Sequence, residues 1–70
     1  MEVFARYKFL DVNGVEVFRH GWHGDLVIMP GGYEGAEISF TNGVRARTLS
    51  AKYDQVGPHF FEAFVTAVVQ

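Results

Sequence analysis

The residues with the clearest capacity for chemistry lie in one segment, His20-Gly21-Trp22-His23-Gly24-Asp25. Imidazole and carboxylate groups are ligands for zinc and other divalent ions, so His20, His23 and Asp25 could hold a metal. On an extended strand, residues three positions apart point to opposite faces, and only a loop would bring the two histidines together. The alternative is a solvated bend in which Trp22 packs inward. We favour that alternative and predict neither a metal nor a cofactor.

Nucleophilic and phosphate-binding chemistry has few candidate residues here. The chain has no cysteine, which excludes thiolate catalysis, disulfides and Cys-based zinc motifs. Its two serines, Ser39 and Ser50, lie outside any nucleophile-elbow pattern. The segment Pro30-Gly31-Gly32 lacks both the Gly-x-Gly-x-x-Gly pattern and the following helix that would hold a phosphate. We therefore predict that the protein is not an enzyme.

The basic residues indicate a second kind of function. They form two local groups, Arg45, Arg47 and Lys52 in one, and Arg6, Lys8 and Arg19 in the other. Cations beside aromatic side chains can bind a nucleic acid, and the first group is the alternative prediction for such a surface. The other interpretation is a solvated face on which these cations pair with nearby carboxylates. A formal charge of −2 also argues against a surface built throughout for phosphate backbones.

The elements that must position these residues are marked by two Asn-Gly turns. Asn13-Gly14 predicts a two-residue hairpin turn that pairs Phe9 with Phe18 and Leu10 with Val17. This register also sets Lys8 opposite Arg19, a like-charge pair that a one-residue bulge would remove, so a bulged register is the alternative. Such turns, together with the glycine-rich loops, delimit short strands of alternating apolar residues. The predicted strands cover residues 2–12, 15–20, 25–29, 36–41 and 44–49.

The second hairpin, around Asn42-Gly43, has a register that its side chains decide. A one-residue bulge pairs Ile38 with Ala46 on one face and Glu37 with Arg47 on the other. A two-residue turn would instead mix core and solvent residues. We therefore predict the bulged register.

The segment after the polar connector 50–57 predicts an amphipathic helix. Pro58 suits a first helical turn, and residues 59–69 place five apolar side chains on one stripe: Phe60, Phe61, Phe64, Val65 and Val68. This apolar arc is wider than one small sheet needs. Its exposed remainder would be a surface for a partner or a second subunit.

Together these elements predict one domain, residues 1–70, of mainly-β α+β class. We expect a small five-stranded antiparallel SH3-like barrel, or a curled sheet, capped by one C-terminal helix. The run Glu37-Ile38-Ser39-Phe40-Thr41, a glycine turn, an arginine-bearing strand and a proline-started helix is similar to the archaeal Sul7-type chromatin proteins. The similarity covers about half of the chain, which lacks the lysine-rich composition of that family. The resemblance is one of topology and implies a barrel ending in a helix.

Composition and the aromatic residues lead to the main functional prediction. Aromatic residues make up 16% of the chain and charged residues only 20%, which excludes disorder. With no apolar run of bilayer length, we predict a cytoplasmic protein without a membrane partner. We predict a small regulator or inhibitor that binds another protein, or itself as a homodimer, through aromatic and apolar anchors. The predicted contact residues are Trp22, Tyr33, Phe61, Val65 and Val69.

Overall fold

The computed structural model describes all 70 residues and consists almost entirely of strands. The strands are β1 (Glu2–Leu10), β2 (Glu16–Asp25), β3 (Glu37–Ser39), β4 (Arg45–Gly57) and β5 (Phe60–Val69), with a 3-10 turn at Leu26–Ile28. They form one curled sheet, a half-barrel, in the order β2-β1-β5-β4-β3. The predicted five-stranded curled sheet is therefore confirmed. The sheet is not fully antiparallel, because β1 and β5 run parallel.

The predicted C-terminal helix is wrong, because its residues form β5, the central strand of the sheet. Phenylalanine, valine and threonine dominate this segment, and such residues fit a pleated surface better than a helix. A strand whose two faces are both apolar carries the same residues as a wide helical stripe, and periodicity alone does not separate them. The helix implied by the resemblance to Sul7-type proteins is absent with it.

Two further segments differ from the expectation. The predicted strand 25–29 is instead the 3-10 turn and the start of a loop. The predicted connector 50–57 is the second half of β4, which pairs with β5 from Ser50–Thr66 to Gly57–Phe60. A turn at residues 58–59 joins β4 to β5, so Pro58 begins a hairpin turn where a helix had been expected.

The hairpin registers follow the Asn-Gly turns closely. In the first hairpin Phe9 pairs with Phe18 as predicted, but a shift after Phe9 pairs Leu10 with Glu16 and not with Val17. In the second, the bulged register is confirmed. Its pairs are Glu37–Arg47, Ile38–Ala46 and Ser39–Arg45, and the Phe40 amide donates to the Val44 carbonyl at 2.9 Å.

The sheet has two unlike surfaces, which we call the inner and the outer face. The inner face holds the buried residues Val3, Ala5, Tyr7, Phe9, Ile38, Ala46, Thr48, Ala63, Val65 and Ala67. Four of these are alanines that are wholly inaccessible to solvent, so the middle of the inner face is shallow. The intervening residues of each strand form the outer face, which no other part of the chain covers.

A loop that we call the strap, residues 26–36, crosses the inner face and closes the core. Three consecutive strap carbonyls accept hydrogen bonds from hydroxyl groups of the sheet. Tyr7 donates to Pro30 at 2.6 Å, Thr48 donates to Gly31 at 2.9 Å, and Tyr53 donates to Gly32. Met29 and Gly31 of the strap are buried against the inner face as a result. The strap backbone is thus fixed to two different strands, β1 and β4.

Candidate interaction site

The strap exposes large apolar side chains although its backbone is fixed. Val27 is 89% exposed, Ile28 is 70% exposed and Tyr33 is 72% exposed. The 3-10 turn that carries the first two is capped by Asp25, whose carboxylate accepts from the Val27 amide at 2.9 Å. Monomeric proteins rarely leave contiguous apolar groups in water, so this tip has the character of a contact surface.

Beside the tip lies a cavity of about 360 Å³, which we call the strap groove. Its lining is Leu26, Val27, Met29, Gly32, Tyr33, Tyr53 and Phe61. The only hydroxyl of this lining that hydrogen bonds within the protein is that of Tyr53, which donates to the Gly32 carbonyl. Burial raises the pKa of Tyr53, so its side chain stays neutral at physiological pH. The groove therefore offers a largely apolar surface to a ligand.

The structure divides the five predicted contact residues between different surroundings. Tyr33 and Phe61 both line the strap groove. Trp22 is half-buried on the inner face, with its ring over Gly24, and Val69 also packs against the core. Val65 is 2% exposed and lies within the core, where it touches no solvent. Only the first two thus lie together on an open surface, and partner binding by any of them stays a prediction.

The exposure of Val27 and Ile28 does not follow from the sequence analysis. The run Leu26-Val27-Ile28-Met29 has the composition of a buried strand, and it was predicted as one. A signal was present in the sequence, because Pro30 and two glycines directly follow this run. Such breakers favour a loop that carries apolar side chains as much as a strand that ends there.

The outer face of the sheet carries a second pattern, in which charge is sorted along the strands. All six lysines and arginines of the chain lie on this face. We define the acidic band as Glu2, Asp25, Asp54 and Glu62. We define the basic band, which lies next to it along the strands, as Arg6, Lys8, Arg19 and Lys52. Phe64 lies in the basic band, paired with Arg6 on one side and with Lys52 on the other.

The residues of the alternative nucleic-acid surface also lie on the outer face. Arg47 donates to Glu37 at 3.0 Å, and Arg45 pairs with Ser39 across the same two strands. Lys52 lies farther along β4, in the basic band. The structure therefore places Arg47 beside a carboxylate and Arg45 opposite a serine, whereas Lys52 adjoins exposed Phe64. Nucleic-acid binding by these residues stays a prediction.

The histidine segment does not form a metal centre in the fold. His20 pairs with Tyr7 on the inner face, whereas His23 lies on the outer face with its Nε2 atom 2.6 Å from a Glu2 carboxylate oxygen. No three histidine, cysteine, aspartate or glutamate side chains come together in a metal-binding cluster. The predicted bend is therefore wrong, because β2 extends through the whole segment to Asp25. On a strand, residues three positions apart point to opposite faces, which separates the two histidines.

Comparison with known proteins adds no further assignment. No protein-family model, curated protein or solved structure matches the chain. Among its elements there is no helix of the length and apolar character that crossing a membrane requires. Function must therefore be argued from the two surfaces just described.

Proposed function

We propose that this protein is a small non-enzymatic protein–protein interaction module that binds an apolar segment of a partner through the strap. The observation that carries this proposal is the exposed tip: Val27, Ile28 and Tyr33 project from a backbone that is already fixed. An ordered loop loses little conformational entropy on binding, so its apolar contacts contribute more fully to affinity. A regulator or inhibitor needs such a preformed contact surface.

The strap groove gives the partner a place for one anchoring side chain. Its volume of about 360 Å³ exceeds that of a single large apolar side chain and is open beside Tyr33. Tyrosine and phenylalanine are frequent at the centre of interfaces, because they bury much apolar area for few rotatable bonds. Tyr33 and Phe61 fill this role here. We expect the partner segment to present an aliphatic or aromatic side chain to the groove.

The test is a selection of phage-displayed random peptides on the immobilised protein, followed by binding measurements with each selected peptide. The informative variant is Val27→Asp, which puts a charge at the edge of the groove. Its matched control is Val12→Asp, which changes a valine that is 82% exposed in the first hairpin turn. We expect apolar peptides whose affinity falls at least about tenfold with Val27→Asp and is unchanged with Val12→Asp. Peptides that bind both variants equally would remove the strap groove as the site.

A further inference from the structure

The central strand β5 leaves three apolar residues on the outer face, which is otherwise charged. These are Phe60, Phe64 and Val68, and Phe64 is 42% exposed. Phe4 on β1 adds a further aromatic ring that is 37% exposed. A solvated sheet face usually carries polar residues at the alternate positions, and an apolar face usually packs on another layer. The outer face of β5 has the composition of a packed layer.

We propose that this layer is completed by the outer face of a second copy of the chain, with the strands of the two copies running in opposite directions. The reason is the order of the two bands. Residues that lie side by side on neighbouring strands form a row. A two-fold axis that lies between the two copies, perpendicular to the strands and between the row of Glu62 and the row of Phe64, reverses the strand direction. It therefore lays the acidic band of each copy over the basic band of the other, and each strand over its own counterpart.

The matching of individual residues follows from the pairings within the sheet. Glu2 and Asp25 share one row with Phe60, and Lys8 and Arg19 share the row of Thr66. Exchange of these rows puts Glu2 over Lys8 of the second copy and Asp25 over its Arg19. The same operation puts Asp54 over Lys52 of the second copy. Each of these three contacts occurs twice in a two-fold dimer, as opposite charges in every case.

Other arrangements of the two faces lack this complementarity. A two-fold axis parallel to the strands would lay each band over itself, so that like charges would face one another. The antiparallel arrangement also sets the partners of the aromatic residues, with Phe64 over Glu62 of the second copy, whose carboxylate lies 3.4 Å from the Arg6 guanidinium of its own chain. It puts Phe60 over Thr66 of the second copy, beside a recess of about 360 Å³ that Phe64, Thr66 and Lys8 help to line. Phe4 lies over Arg6 of the second copy, and within one chain the Arg6 guanidinium is already 5.6 Å from the centre of the Phe4 ring.

The short length of the chain also favours a dimer. A domain of this length buries a small share of its surface, and oligomerisation is one of the usual remedies. Lys52 and Asp54 of the outer face do not line the strap groove, so charge reversal at these positions leaves the lining of the groove unchanged. Failure of self-association would leave the proposed binding through the strap untouched, and the reverse also holds.

The experiment is sedimentation equilibrium of the purified protein and of two charge-reversal variants, Lys52→Asp and Asp54→Lys. We expect the wild type to form a dimer of twice the 7.9 kDa protomer mass. Each variant alone sets like charges opposite one another twice, and we expect its dimer dissociation constant to rise about tenfold or more. An equimolar mixture restores both pairs, since Asp54 of one chain faces Lys52 of the other and the two new residues also face each other. The mixture is therefore expected to form a heterodimer.

Two controls keep the outcome unambiguous. Val12→Asp should leave the dimer unchanged, and circular dichroism should show that both charge-reversal variants keep the sheet. A monomeric wild type, or variants that dimerise as the wild type does in isolation and in mixture, would overturn the proposal. A monomer that binds a single-stranded oligonucleotide with steep salt dependence would also overturn it and would assign the basic band to phosphate.

Discussion

The inner and outer faces of the sheet are built from the same strands but from different residue sizes. On the inner face β5 contributes Ala63, Val65 and Ala67, all of which are buried within a single chain. On the outer face the same strand contributes larger side chains, among them Phe64, which is 42% exposed, and Phe60, whose ring lies 6.1 Å from that of His23. Along the middle of β5, the small residues thus lie on the covered inner face and the larger ones on the outer face.

This difference shows how the fold positions its surfaces. Alanines on the inner face let the strap approach closely enough for three hydroxyl groups to bind its carbonyls. The outer aromatic rings of Phe4 and Phe60 instead have Arg6 and His23 of the same face as neighbours. The inner face therefore has a structural role, and the outer face is available for association.

The largest expected difference in the free energy of unfolding is between alanine variants of two phenylalanines, one on each face. Phe9 is 1% exposed and stacks on Phe18, with ring centres 4.4 Å apart. We expect Phe9→Ala to lower the free energy of unfolding by about 3–5 kcal/mol, which approaches the whole stability of a domain of this size. Phe64→Ala on the outer face should cost about 1 kcal/mol or less in the monomer. Urea unfolding at low protein concentration measures both, and equal losses would contradict the difference between the faces.

A smaller loss of unfolding free energy is expected at Gly31, where the strap packs on Ile38 and Thr48. Gly31 has φ of +68°, and a Cβ atom there would lie 2.6 Å from Ile38 Cδ1 and 2.7 Å from Thr48 Oγ1. We expect Gly31→Ala to lower the free energy of unfolding by about 2–3 kcal/mol, because backbone strain and overpacking act together.

Gly35 is the matched control for this substitution. Its φ is +83°, but a Cβ atom there would have nothing within 4 Å. Gly35→Ala should therefore show the backbone strain alone, about 1 kcal/mol. Thermal and urea unfolding of both variants give the difference. If the two glycines proved equally costly to replace, close packing of the strap on Ile38 and Thr48 would be disproved.

The smallest expected loss of stability comes from removing the Tyr7 hydroxyl, which donates to the Pro30 carbonyl of the strap. The contribution of this hydroxyl to stability depends on pH. Burial, with a smaller contribution from Tyr53, raises the pKa of Tyr7 from 10.0 to about 12. Between these values the unfolded chain loses the Tyr7 proton while the folded chain keeps it, so stability falls as the pH rises. Below the lower value both states are protonated and this contribution to stability is fully present.

Tyr7→Phe tests this contribution. At neutral pH we expect a loss of about 1 kcal/mol, the usual net value of one hydrogen bond. The fall in unfolding free energy from neutral pH to about pH 11 should be smaller in Tyr7→Phe than in the wild type, although Tyr53 still contributes. Urea unfolding of both proteins at the two pH values provides the measurement. An identical pH dependence would mean that Tyr7 does not retain its proton in the folded state.

The local parts of the fold were predictable from the sequence, because they depend on neighbouring residues. The Asn-Gly turns and the pairing of Glu37 with Arg47 fixed the second hairpin, since only the bulged register keeps its charges on one face. The first hairpin was correct as far as Phe9. Beyond that residue the bulge that pairs Leu10 with Glu16 has no evident signature.

The long-range parts were not predictable in the same way. Residues 60–69 satisfy a helical stripe and a two-sided strand equally well, and the parallel pairing of β5 with β1 decides between them. The candidate site also depends on long-range contacts that the local sequence does not predict. Tyr33 and Phe61 were identified from their residue type, but the groove that unites them depends on hydroxyl groups of distant strands that bind the strap.

The position of β5 also sets the order in which the fold can be completed. It is the last strand in the sequence and the middle strand of the sheet, and it pairs with the first strand in parallel. Until it joins the sheet, the β1–β2 hairpin and the β3–β4 hairpin share no strand, and β1 and β4 each have an unpaired edge. Such edges can capture strands of other molecules. Until β5 has joined the sheet, the edges of β1 and β4 are therefore open to such capture.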